Sequence, residues 1–270
     1  MTGNSPQGFQ QRLDNDDLKG LAPRDTFNFE CHVDCMGACC NRITILLDPW
    51  DVETMARHLE LPGQKFIAGY CNLETGTGSR WPFVQLKHVE YGPCIFLLND
   101  GKCKVYPARS RNCRTYPLGR AVRVTGDNGI EERLFMVDPL SFCLGHKGEQ
   151  TWTVQKWLDD SDCRKYFELS DLYLKLIHYA TTELQSRSWM TGRTAQMMYP
   201  FLFAPDILRA KLSITEDQVG DEEFYRRRIK ALQALLTEMA AGFGLGPAAG
   251  KSSGDGTLMD RAGRILRDGD

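Results

Sequence analysis

Cysteine sets this chain apart: there are ten in 270 residues, and four of them fall between positions 31 and 40. They read Cys31-x-x-x-Cys35-x-x-x-Cys39-Cys40. Thiolates are the preferred ligands of zinc and of iron–sulfur clusters. A helical turn would carry Cys31, Cys35 and Cys39 on roughly one face, and Gly37 would loosen it enough for the chain to wrap an ion. Adjacent Cys39 and Cys40 cannot readily point the same way in regular structure, so one serves a different ion or ligates from a turn. Four thiolates complete a tetrahedral zinc or a cubane cluster. At least one further ligand must therefore come from elsewhere, and Cys94, Cys103, Cys113 and Cys143 are the candidates. Such a site would staple positions 31 and 143 together and couple metal binding to folding. Cys71 and Cys163 stand apart and read as buried apolar thiols.

These residues need elements to hold them. Residues 42–47 form a β-rich run. Asp48 can cap a helix with Pro49 at its first position; Val52, Met55, Ala56 and Leu59 make its apolar face, and Pro62-Gly63 ends it. From 81 to 137 the pattern is short strands and turns. Asn99-Asp100-Gly101 is a hairpin signal that puts Cys94 and Cys103 on opposite arms. Residues 121–124 and 133–137 flank a second turn. After Gly148 the character becomes helical: 151–158, a helix capped by Ser170 and running to about 185, and 222–241. The expected fold is α+β, a small cysteine-rich metal-binding domain with short antiparallel strands followed by a helical C-terminal region. Its divisions are a polar leader over 1–26, the cysteine domain over 27–148, a helical region over 149–243 and a flexible tail over 244–270.

Composition bounds the setting. With 42% hydrophobic and 25% charged residues the chain can bury a sizeable core. A formal net charge of −2 gives no global argument for nucleic acid or membrane. No apolar run approaches a membrane span, and the polar N-terminus has no signal-peptide core. A cytoplasmic location is expected, where disulfides are rare and clustered cysteines hold metal or do redox chemistry. Residues 101–126 carry seven basic residues (Lys102, Lys104, Arg109, Arg111, Arg114, Arg120, Arg123) and no acidic ones. They read either as an anion-binding patch or as charge balance for nearby thiolates. His32 and His146 lie beside cysteines but are not needed as ligands. The phosphate-loop-like stretch at 244–252 has Leu245 where glycine is required.

The order of the cysteine blocks resembles the YkgJ-like, CxxCxxCC-type cysteine-cluster family, whose domain is associated with chelating zinc or iron. The blocks are residues 31–40; Cys94-Ile95-Phe96-Leu97; Gly101-Lys102-Cys103-Lys104-Val105-Tyr106; Arg109-Ser110-Arg111-Asn112-Cys113-Arg114-Thr115-Tyr116-Pro117; and Cys143-Leu144-Gly145. Ser110 occupies the family's usual proline position. The resemblance covers 27 to about 148 and implies Cys31, Cys35, Cys39, Cys40, Cys94, Cys103, Cys113 and Cys143 as ligands of a 4Fe-4S cluster or zinc. Arg109, Arg114 and Tyr106 are expected to hold the Cys113 loop and offset thiolate charge. Three functions fit: a structural or electron-transferring metal centre, a metal-dependent protein-modifying enzyme resembling the flagellin lysine methylases, or a zinc-stabilised interaction module whose helical half docks a protein partner. Because Cys71 and Cys163 belong to no block, Cys71→Ser and Cys163→Ser should leave the metal content of the purified protein unchanged. Loss of metal in either variant would mean a misassigned ligand.

Overall fold

A computed structural model describes residues 19–41, 44–75, 81–90, 92–126, 128–138, 142–246 and 258–269. Most of the expected leader (1–18), the start of the first expected strand (Arg42 and Ile43) and the Gly/Ser-rich stretch 247–257 lie outside the described residues. The fold is mixed α+β. Strands β1 (Thr26–Asn28) and β7 (Thr151–Thr153) pair antiparallel; β2 (Leu46–Leu47), β4 (Pro82–Leu86) and β3 (Cys71–Thr75) form a three-stranded sheet in that order; and β5 (Leu118–Val124) pairs with β6 (Ile130–Met136).

Helix α1 (Pro49–His58) begins as its sequence dictates. Asp48 Oδ1 accepts from Asp51 N at 2.8 Å, and Asp51 Oδ2 accepts from Asp48 N at 3.3 Å, a reciprocal box that satisfies two otherwise orphaned donors. Pro62-Gly63 does not simply end this helix; it opens α2 (Gly63–Tyr70), where proline precedes the first turn. Further on come α3 (Arg111–Thr115), α4 (Val154–Asp160), α5 (Cys163–Thr182), α6 (Ser186–Trp189), α7 (Gly192–Phe203), α8 (Pro205–Leu212), α9 (Asp221–Gly242) and α10 (Leu258–Asp268).

Three expectations are corrected. The 151–158 stretch is a strand for three residues before it is a helix, because Thr151–Thr153 finds Thr26–Asn28 to pair with. Ser170 is not a cap. It lies buried inside α5, which starts at Cys163 because Tyr166, Phe167 and Leu169 extend the apolar face upstream. The end of the expected tail forms α10, whose Ala262, Ile265 and Leu266 are buried against the rest of the core. A short amphipathic segment is marginal alone and becomes helical when its apolar face is covered.

One buried cluster draws on both halves of the chain: Ile45, Trp50, Phe66, Phe96 and Val105 pack with Leu169, Met198, Leu232 and Ile265. Each such side chain contributes about 1.5–3 kcal/mol by leaving water. A second cluster (Leu118, Leu134, Val154, Leu158, Cys163, Phe167) lies under β5 and β6, with Leu21 and Phe27 against it. At the centre of the large cluster, Arg228 of α9 is fully buried and pairs with Glu53 of α1 while donating to Phe201 O at 2.8 Å. Arg57 bridges Glu53 (3.2 Å) and Asp221 (2.8 Å). Removing one partner would strand a buried charge, so Glu53→Ala should cost about 3–5 kcal/mol in urea unfolding. A loss below about 1 kcal/mol, the scale of an exposed pair, would show that this bond does not join α1 to α9.

Candidate metal centre

The first cysteine block is two short 3-10 turns, Val33–Cys35 and Ala38–Cys40, rather than one α-helix. Gly37 separates them at φ +81°, a backbone that L side chains rarely adopt. A Cβ there would also meet Leu97 and the Gly101 carbonyl, so glycine lets the block lie against the 98–102 turn. That turn is closed by Gly101, also at φ +81°. The expected hairpin is present in minimal form. Leu97 pairs with Cys103 as a single bridge flanked by Leu98 N→Lys102 O (2.9 Å) and Lys104 N→Phe96 O (2.8 Å). Phe96, almost fully buried, anchors it to the core.

Cys113 rides on α3. Ser110, in the usual proline position, is buried and caps that helix by accepting from Cys113 N at 3.5 Å. Arg111 N donates to Asp51 Oδ1 at 2.7 Å, and the Arg111 guanidinium meets Asp48 at 3.5 Å and Ser170 Oγ. Helix α1 thus holds the start of the Cys113 helix through a buried carboxylate. Cys143 is placed by the segment behind it: Leu144 N donates to Cys35 Sγ at 3.4 Å, Glu30 N to Gly145 O at 3.1 Å, and Tyr116 Oη hydrogen-bonds Cys143.

All ten cysteines are free thiols; Cys71 and Cys163 are buried, and the eight of the motif are half-buried or exposed. Burial first, then the neighbouring Cys39, Cys35 and Cys143, pushes the Cys31 thiol up. Cys40 shares a hydrogen bond with Cys39 and has Cys94 and Cys103 as further neighbours. That bond stabilises a Cys39 thiolate, lowering it to about 6, and holds the proton on Cys40. Cys94 N donates to Cys40 O at 2.9 Å. Dense surroundings push Cys113 up to about 11, with Cys94 and Cys103 adding to the effect, although the residue keeps an exposed face. Burial also raises Cys94 and Cys103. The thiols are neighbours rather than a finished shell: among the described residues, no three histidine, cysteine or acidic side chains are set to hold an ion as they stand.

The expected arginines divide. Arg109 lies over the Tyr106 ring at 4.1 Å, and its charge favours the thiolates of Cys31, Cys39 and Cys103. Arg114 faces inward instead. Buried, it donates to the carbonyls of Arg109 (3.1 Å), Ser161 (2.6 Å) and Pro107 (3.1 Å), with its guanidinium 3.8 Å from the centre of the Tyr166 ring. Arg120 is bound by Asp171 (2.7 and 2.8 Å) and Glu132 (2.7 Å). The basic run is therefore divided among separate structural duties instead of forming one anion patch. His146 Nε2 lies 3.4 Å from Tyr116 Oη, and His32 Nδ1 accepts from Asp34 N. Sequence reasoning named Tyr116 as a frame of the Cys113 turn but missed Asp51 and Ser110 as supports of the site. The Asp48–Asp51 spacing was readable as a cap, but its reach to Arg111, sixty positions on, was not.

Residues 30–139, less than half of the chain, match the model of the CxxCxxCC family, described as "Putative zinc- or iron-chelating domain". The match takes in seven of the eight motif cysteines and stops short of Cys143. No curated protein matches the chain. No solved structure matches it either. The matched domain supports metal binding.

Burial, and next the charge of Asp48, raises the Asp51 carboxyl from the ordinary 3.8 to about 8. A raised carboxyl favours folding in its neutral form, so its contribution is complete below pH 3.8 and is lost as pH rises toward 8. Asp51→Asn mimics the neutral form. Urea unfolding of metal-free protein should therefore show the variant losing less stability than the parent between pH 4 and pH 8. Parallel pH curves would contradict this.

Proposed function

We propose that the domain over residues 27–148 holds zinc or an iron–sulfur cluster through Cys31, Cys35, Cys39, Cys40, Cys94, Cys103, Cys113 and Cys143. The reading divides them into two neighbouring four-thiol sets, Cys31/Cys35/Cys39/Cys143 and Cys40/Cys94/Cys103/Cys113. What supports it is that separate stretches of chain bring the cysteine blocks side by side: Leu144 N donates to Cys35 Sγ at 3.4 Å, and Cys94 N to Cys40 O at 2.9 Å. The donor set is all sulfur, which suits zinc and iron–sulfur clusters. A full thiolate shell leaves no position for substrate, so the centre is structural or electron-transferring. Free thiols suit a reducing compartment such as the cytoplasm. No helix among the described residues is long and apolar enough to cross a membrane.

The interaction-module reading has its own observation. In the helical half, Trp189 and the exposed Phe243 stack at 5.8 Å and, with Met197 and Met239, line a concavity. That is a surface on which an apolar partner segment could rest.

Metal and acid-labile sulfide analysis of anaerobically purified full chain tests the main reading. Iron with equivalent sulfide identifies a cluster; zinc without sulfide identifies a closed structural site. Because the raised thiols must lose protons to ligate, binding should release protons and weaken as pH falls. Cys103→Ser and Cys143→Ser should each reduce metal retention. Metal content unaffected by both would defeat the eight-thiol reading.

A further inference from the structure

His88 belongs to none of the cysteine blocks, and nothing in its sequence neighbourhood marks it. In the fold it forms a single antiparallel bridge with Cys94. The bonds on either side are Val89 N→Pro93 O at 2.9 Å and Ile95 N→Lys87 O at 3.2 Å. Those flanking bonds make His88 and Cys94 a non-hydrogen-bonded pair. This is the narrow kind, with Cα atoms about 4.5 Å apart and both side chains on one face. The Cys94 backbone agrees, since its N–H turns away from His88 to Cys40 O at 2.9 Å.

A second, independent observation concerns the imidazole. Its Nε2 atom is buried and has no hydrogen-bond partner among the described residues. A buried polar atom left unpaired costs about 1–3 kcal/mol, so a partner is expected wherever one can be supplied. The side chain lying closest across the bridge is that of Cys94, a proposed ligand. Its sulfur is a weak acceptor as a thiol and a much stronger one as a thiolate, the form in which it ligates metal.

We propose that His88 Nε2–H donates a hydrogen bond to Cys94 Sγ when the Cys40/Cys94/Cys103/Cys113 set is loaded with metal. The inference rests on the metal-centre reading and assigns His88 as a positioning residue, not a ligand. The donation requires a proton on Nε2. The four thiols already complete a shell, so the histidine is not required inside it. It spreads part of the thiolate charge and fixes the Cys94 rotamer, as outer partners of metal ligands do. Tyr116 stands in a comparable relation to Cys143 in the other set.

The test uses the full chain, metal-free and then loaded anaerobically with cadmium, with isotopically labelled histidine followed by nitrogen NMR. His88→Gln assigns the His88 signals. Thiolate-to-cadmium charge-transfer absorption must first appear; without it the metal-centre reading itself fails, and this inference with it. Given that absorption, the expected result is an Nε2 that stays protonated and shifts on loading. Two results overturn the proposal: an unprotonated Nε2 coupled directly to cadmium, which makes His88 a ligand, or an Nε2 signal that ignores cadmium. The loading readout is taken on the unmodified protein, and the His88→Gln variant serves only to assign its signals. As a second measurement, cobalt competition against a chromophoric chelator should give about tenfold weaker retention in His88→Phe. His88→Gln, which keeps an N–H donor, should remain near the parent. Equal loss in both variants, or in neither, speaks against donation to sulfur.

Discussion

Thiols do not gather themselves. Each thiolate brought near another raises the cost of ionising the next, as the mutual effects of Cys31, Cys35, Cys39 and Cys143 illustrate. Their positions must be imposed by packing that is stable without the metal. In this protein that packing is organised around helix α1. Its N-terminal carboxylates reach the helix that bears Cys113, and its apolar face enters the large core. Its Glu53 takes the buried Arg228 from the far end of the chain. The hairpin carrying Cys94 and Cys103 reaches the same core through Phe96 and Val105.

This explains why a cysteine-rich region is embedded in a helical body rather than standing alone. Small metal domains often fold only when metal binds, because their cores are too small. Here Ile45, Phe66 and Phe96 are covered by helices from beyond residue 160. The scaffold thus has a source of stability independent of the centre. The 3-10 turns of the first block depend least on that core and most on what the thiols hold: Cys31 and Cys39 remain exposed, and Val33 and Met36 present apolar side chains to solvent.

The backbone before the Cys113 helix is set locally. Proline would set the backbone before α3 by its ring; Ser110 does so by capping. Arg114 completes the loop by donating to three carbonyls, those of Pro107, Arg109 and Ser161. The strongly basic appearance of this stretch is therefore mostly a matter of folding, and Arg109 is the basic residue of the loop whose charge reaches the thiols.

Much was legible in the sequence where the cause is local. The Asp48 cap with Pro49, the turn at Asn99-Asp100-Gly101, the β5–β6 pairing and the long helix ending near residue 242 all follow from neighbours a few positions apart. The eight-cysteine pattern was legible because ordered spacing of one reactive residue type is rare by chance. Tertiary structure decided what depends on partners far along the chain. Thr151–Thr153 became a strand because Thr26–Asn28 lay opposite, and the last helix was given a covered face by the core. Arg114 turned inward, where Ser161, far along the chain, offers its carbonyl beside those of Pro107 and Arg109. The adjacency of Cys39 and Cys40, awkward in a regular helix, was accommodated in a short 3-10 turn once the chain broke at Gly37. Sequence records which residues can ligate, cap or turn. Only packing determines which of them meet, because burial and pairing are properties of the space between segments.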